Sequence, residues 1–351
     1  MPSPLTQKGF FMRIRPALTA LVLAFAFAAP GALASPAVTS KPPVQAIGQS
    51  EAEIKAGFRA VQAAMDRDDQ QEAMRLAKAC LAAVRASGQH ALLPEALLMS
   101  GETMMGAEND REARKYLLNG LGLAQLYGDR RSHANALNDL GIMAERDGKI
   151  RLAANYYREA LPIAETVDDP QLLDAVTYDL GSAECVLEQF ETGYARLTTA
   201  LERTLARGET HTAVKIKLRV ADVERDMKQP AQAENTALEA LTMARSVKNK
   251  ASEQGALRLL GMLAVDRKDL KVGEARFKEA LKVARSGTDP WAQGAASLDL
   301  ATFLVANQRG KEATEHLLAA QRTFKQLKRQ DLVDQIRTLL NHVEKGKSKR
   351  I

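Results

Sequence analysis

Between residues 133 and 161 the chain reads HANALNDLGIMAERDGKIRLAANYYREAL, and its apolar positions fall three and four apart in two blocks separated by the polar turn RDGK. That spacing sets the apolar residues on one face of each of two helices. Displaced by forty residues, the pattern returns upstream as LPEALLMSGETMMGAENDREARKYLLNGL and downstream as LDAVTYDLGSAECVLEQFETGYARLTTAL. It returns once more at 253–281 as EQGALRLLGMLAVDRKDLKVGEARFKEAL.

Small residues keep strict columns within this period. Glycine stands at 101, 141, 181 and 261, with Ala221 and Ala301 at the remaining multiples. A second column runs Ala73, Ala113, Ala153, Gly193, Ala233, Gly273 and Ala313, and a third runs Cys80, Gly120, Ala160, Ala200, Ala240, Ala280 and Ala320. Leucine follows the third column at 81, 121, 161, 201, 241 and 281. A glycine inside a helix costs about 1 kcal/mol relative to alanine, so its recurrence requires a recurring gain. Helices that cross closely supply one, because a residue without a bulky side chain lets two backbones approach. The spacing predicts that Gly141 faces the Ala153 region of its own repeat and that Ala160 faces the next unit.

Fixed-period self-similarity of this length is the mark of a solenoid. The expected fold is all-α: a right-handed α-solenoid of seven helix-turn-helix repeats of forty residues (54–93, 94–133, 134–173, 174–213, 214–253, 254–293 and 294–333). Apolar residues at 333, 336, 339, 340 and 343 predict one further amphipathic helix, which with the basic tail makes a capping segment over 334–351. Such a cap covers the apolar face that a last repeat leaves open.

Leu140-Gly141, Ala153, Tyr157 and Ala160-Leu161 resemble the signature of the tetratricopeptide repeat. The forty-residue unit is similar to the long form found in kinesin light chains and in some bacterial regulators. The resemblance extends over 54–333 and is weakest in the first and fifth repeats, the fifth carrying Lys217, Ala221 and Pro230 where the pattern has other residues. It implies a concave groove, lined by the first helix of each repeat, that holds an extended peptide or a partner's helix.

The N-terminus departs from the repeat. Lys8, Arg13 and Arg15 precede an apolar core from Ala17 to Ala29 and the small-residue pattern Ala32-Leu33-Ala34. This is the layout of a secretory signal peptide over 1–34, starting at Met1 or Met12, with cleavage expected after Ala34. The alternative is an uncleaved N-terminal anchor. Residues 35–53, rich in proline and small polar residues, read as a flexible leader. The expected location is the periplasm of a bacterium or the medium, with no integral membrane span once the signal is removed.

Losing 1–34 lowers the formal charge from +6 to +3, too little to argue for nucleic acid. Cys80 and Cys185 lie more than two repeats apart, so two buried free thiols are expected rather than a bridge. No phosphate loop, nucleophile elbow or Cys-x-x-Cys occurs, and no two of the five histidines stand three or four apart. The reading is therefore a non-enzymatic protein with no cofactor and no metal, whose partner is a protein or peptide.

The candidate contacts lie on the first helices. Asn135, Asn138, Asp139 and Glu145 share one face with Ile142, and the next repeats bring Tyr178 and Asp179, Lys215 and Arg219, then Arg258, then Asp299. The middle of the expected groove thus passes from acidic-polar to basic. Kinesin-type repeats often carry asparagine where Asp139, Asp179 and Asp299 stand, and an ionised aspartate accepts hydrogen bonds but does not donate them. An alternative role for Asp179 and Arg219 is to pair with each other across adjacent repeats. Tyr156, Tyr157 and Tyr178 also suit packing. The broader alternative to a scaffold is a regulatory module whose superhelix changes shape on binding a ligand.

Overall fold

The computed structural model describes residues 50–348. The signal segment, most of the leader and the last three residues lie outside the described residues. Within them the chain forms fifteen α-helices and one short 3-10 turn, with no strand. The helices are α1 (Glu51–Asp66), α2 (Gln70–Ser87), α3 (Leu93–Gly106), α4 (Asp110–Tyr127), α5 (Arg130–Arg146), α6 (Ile150–Ala164), α7 (Pro170–Val186) and α8 (Phe190–Ala206). They continue as α9 (Thr210–Asp226), α10 (Pro230–Ser246), α11 (Lys250–Asp266), α12 (Leu270–Arg285), α13 (Pro290–Ala306), α14 (Gly310–Gln326) and α15 (Gln330–Ser348). Each odd-numbered helix from α1 to α5 packs on the even one after it, and that one on the next odd helix, which is the layout of an all-α solenoid. Two compact units divide within α8, one ending at Ala200 and the other starting at Leu201.

The turns repeat on half the period. A left-handed residue closes a helix at 68, 88, 108, 128, 148, 188, 208, 228, 248, 268, 308 and 328. At eleven of them the amide of the following residue donates to a carbonyl five residues back, as in Asp69 to Ala64, Lys149 to Ala144 and Gln229 to Glu224. This is the Schellman closure, which satisfies carbonyls that a helix end leaves open. Glycine fills four of these sites, and Asp, Glu, Lys or Gln fills the other eight. The two places without it, at 168 and 288, are turns that enter the next helix through Asp-Pro. Side chains then start the next helix: Asp69, Asn109, Asp129, Asp169, Asn249 and Asp269 each accept from a backbone amide in the first turn. Asp129 starts α5 at Arg130, so a repeat counted from 134 begins one turn inside that helix. Small-residue columns reveal the period, whereas the caps set its phase.

Three glycines of the column lie closest to the residue sixteen positions on, and the fourth, Gly181, to the Gly193 carbonyl. A Cβ at Gly141 would lie 2.3 Å from the Tyr157 ring, one at Gly101 2.7 Å from Leu117, and one at Gly261 3.1 Å from Phe277. Gly141 therefore receives the ring of Tyr157 rather than the Ala153 region. Tyr157 is the largest fully buried side chain among the described residues, and only a bare Cα opposite it leaves room. In the fifth repeat Ala221 and Ala237 share one core cluster, so both sides of that crossing are small. Ala160 packs with Leu172 and Val176 of α7, in the next pair. At the C-terminal end Trp291 meets Phe324 edge-on at 5.2 Å, and Arg329 covers the Trp291 ring at 5.0 Å. α15 turns Leu332, Ile336, Leu339 and Val343 inward. Cys80 and Cys185 are buried and free, and burial pushes the Cys80 thiol up to about 11.

Candidate functional site

In the first unit, α5 carries Asn135, Asn138, Asp139, Ile142 and Glu145 on one face, and the forty-residue register sets Tyr178, Asp179 and Ser182 on α7. The first helices of successive pairs also touch each other directly, α1 with α3, α3 with α5 and α5 with α7. Side chains on this face can therefore reach across from one repeat to the next. Asn138, only 7% exposed, does so: its Nδ2 donates to Asp179 Oδ2 at 3.1 Å. The other amide atom, Asn138 Oδ1, is buried with no hydrogen-bond partner, and so is Asp139 Oδ2 beside it. Buried acceptors left in this state are costly and uncommon.

Electrostatics sharpens the arrangement. Burial raises the Asp139 carboxyl well above its ordinary value, and the charges of Glu102 and Asp179 raise it further, while Arg146 partly opposes them. Burial lifts Asp179 to about 7 against the hydrogen bond from Asn138. Glu102 is raised by burial and then by Glu95, and Glu95 is itself raised by burial. The Tyr157 hydroxyl is held well up by burial and then by the carboxylates of Asp179, Glu145 and Asp139. Arg146 spends one donor on the Met105 carbonyl at 3.0 Å. Carboxyl groups on α3, α5 and α7 thus make a half-buried strip, in which Glu95 opposes the ionisation of Glu102, and Glu102 and Asp179 oppose that of Asp139.

The second unit uses the same helix positions differently. Arg219 on α9 is 6% exposed and donates to Asp222 on its own helix at 3.1 Å. Within their own units, Asn138 donates to Asp179 and Arg219 donates to Asp222. Burial lowers the Lys215 ammonium. Arg258 on α11 lies 3.4 Å from the Met262 sulfur, and its charge opposes the burial that raises Asp299 on α13.

Of the residues predicted from the sequence, the structure brings Asn138, Asp139 and Asp179 together and sets Glu145 at their edge. Tyr178 is half-buried next to Asp179, and Asn135 is half-buried one turn before Asn138. Lys215, Arg219, Arg258 and Asp299 belong to the other unit. Sequence reasoning missed Glu102. The register contained it, since 102 heads the column of Ile142, Ser182 and Asp222, but the stripe was not carried back into α3. Two open recesses lie elsewhere in the first unit, one of about 490 Å³ beside Ile150 and Leu187 and one of about 220 Å³ beside Arg75 and Tyr116. No helix of the described residues is long and apolar enough to cross a membrane.

Helix pairs closed by Schellman turns, with a small residue at each crossing, define a helical-repeat solenoid. Residues 92–166 match the family model of the tetratricopeptide repeat, and the helix pairs on either side of them repeat the same packing within the first unit. No curated relative matches the sequence. Among solved structures the fold is similar to that of apo RapI, at 13% identity and a TM-score of 0.64, covering 79% of this chain and 99% of that one. NprR in complex with its cognate peptide NprX aligns at 12% identity and a TM-score of 0.59, over 84% of this chain and 83% of that one. A STAND protein with a tetratricopeptide repeat sensor, from Pyrococcus horikoshii, aligns at 17% identity and a TM-score of 0.60. That match covers 83% of this chain but 44% of the STAND protein. At these identities the likeness is one of fold.

Proposed function

We propose that the protein is an exported, non-enzymatic scaffold or adaptor that binds a protein or peptide on the face of its first helices. The observation that carries this reading is the pair of buried, unpartnered acceptors, Asn138 Oδ1 and Asp139 Oδ2, side by side on the face of the first helices. A surface that desolvates polar groups without satisfying them has been shaped by something other than stability. NprR, similar in fold, is solved with a peptide, which supports a peptide or protein as the class of partner. The pattern of residues 1–34 supports export to a periplasm. Lys215, Arg219, Arg258 and Asp299 are proposed as a separate contact set on the first helices of the second unit.

The test is a pull-down of the protein from envelope extract beside a variant carrying alanine at Asn138, Asp139, Asp179 and Arg219. A partner captured by the wild type and lost by the variant is the expected result. A partner retained by both moves the site elsewhere, and a turnover activity that survives charge reversal of these residues overturns the non-enzymatic reading. N-terminal sequencing of the periplasmic protein is expected to begin at Ser35.

A second reading, favoured by the likeness to NprR and RapI, is a regulatory module whose repeats change pitch on binding. Small-angle scattering with and without the captured partner separates the two. Unchanged dimensions support the scaffold, and a shift supports the switch.

A further inference from the structure

We infer that Asn138, Asp139, Asp179 and Glu102 form a seat for one cationic side chain of the bound peptide, an arginine in preference to a lysine. This rests on the peptide-binding reading above and names the chemistry that the partner presents.

Every unmet need in the cluster is of one kind. Asn138 is more than nine-tenths buried, and its amide is turned into the cluster, as its bond to Asp179 shows. That bond uses the nitrogen, so the atom left without a partner is the acceptor, Oδ1. Asp139 Oδ2 is a second buried acceptor without a donor. Three half-buried carboxyl groups on three successive first helices, at 102, 139 and 179, surround these two atoms and supply negative charge as they ionise. A guest that completes the site must bring several N–H donors and a positive charge.

A metal ion does not fit, because no group of three such ligands among the described residues converges on a point. A guanidinium fits better than an ammonium. Its five donors spread over a plane, and it is the more weakly hydrated of the two, so it loses less on entering a partly desolvated site. The charges already present do not serve this purpose. Arg146, the cation that acts on Asp139, is held by the Met105 carbonyl and lies 3.8 Å from Asp110. The second unit shows the alternative outcome, since Arg219 brings its own counter-charge to the corresponding column at Asp222.

The test uses four pools of decapeptides, randomised except for one central residue fixed as Arg, Lys, Ala or Glu, passed over the immobilised protein. The Arg pool is expected to be retained about tenfold better than the Ala and Glu pools, with the Lys pool between them. Asp139→Asn with Asp179→Asn keeps side-chain shape and removes charge, and it is expected to abolish that preference. Glu102→Gln, on a different helix, is expected to weaken it, and circular dichroism confirms that each variant remains folded. Equal retention of all pools, or an Arg preference that survives the double variant, overturns this inference and leaves peptide binding standing. No retention of any pool overturns both. A cluster that binds free spermidine but shows no preference among the pools also overturns it, since the cation then comes from a small molecule.

Discussion

The first helices of the two units share a geometry and differ in chemistry. α5 and α9 are each 17 residues long and occupy equivalent places in their helix pairs. One register position holds Asp139 in α5 and Arg219 in α9, and the position three residues on holds Ile142 and Asp222. In α9 that produces a closed pair, Arg219 to Asp222 at 3.1 Å. In α5 no carboxylate or cation closes on Asp139 in this way: Arg146 on the same helix only partly offsets its burial, and Glu102 and Asp179 on the adjacent first helices add the same sign. Equivalent scaffolding therefore carries a closed ion pair in one unit and a strip of like-signed carboxyl groups in the other.

The largest expected effect probes the crossing beneath these faces. Gly141→Ala drives a methyl into the Tyr157 ring and is expected to cost about 3 kcal/mol, because overpacking in a filled core forces backbone shifts. Ala221→Gly, at the equivalent crossing of the second unit, is expected to cost about 1 kcal/mol through helix propensity alone. Denaturant unfolding of both variants measures the difference, and equal costs would erase the contrast.

Charge removal is expected to act in opposite directions. Arg219→Ala leaves Asp222 without its cation at a site only 15% exposed on its side chain, and a loss of about 2 kcal/mol is expected. Asp139→Asn relieves a carboxylate that burial and two like charges disfavour, and a gain of about 1 kcal/mol near neutral pH is expected. A binding site that costs stability when empty is a common trade. If Asp139→Asn destabilises, the cluster is serving the fold.

The pH dependence follows from the same groups. Asp179 rises from 3.8 to about 7 on folding, so the folded chain holds its proton more tightly than the unfolded chain. Its contribution to stability therefore grows as the pH falls from above 7 towards 4 and is lost as the pH rises through 7. Asp139, also raised, acts in the same sense. Asp139→Asn with Asp179→Asn is expected to flatten this part of the curve, whereas Arg219→Ala leaves it unchanged. Retention of a cationic peptide runs the other way and strengthens as the pH rises through 7, because the carboxylates must ionise to receive it.

The smallest expected effect is common to both units. Glu188→Gly and Lys228→Gly each relieve a left-handed residue at a Schellman turn, and each is expected to add about 0.5 kcal/mol. Thermal unfolding checks both, and equal gains would show that the turns do not share the difference seen between the faces.

The solenoid was legible in the sequence because packing of identical units demands the same small residue at the same place every forty positions. The glycine and alanine columns, the caps and the amphipathic last helix carry that demand in residue type alone. The face that bears the candidate site was legible too, since a spacing of three and four places Asn135, Asn138 and Asp139 together on any helix. What those side chains do was decided by the tertiary structure. A period names every residue that can share a face with Asp179, yet only the packed helices show that Asn138 one repeat back holds it, and that Arg219 bonds Asp222 three residues along its own helix. Likewise Gly141 required a close neighbour, and only the packed helices show that the neighbour is Tyr157. Periodicity sets which side chains share a face. Which of several partners within reach a polar head takes, and whether it is left without one, depends on distances and burial that exist only once the helices are packed.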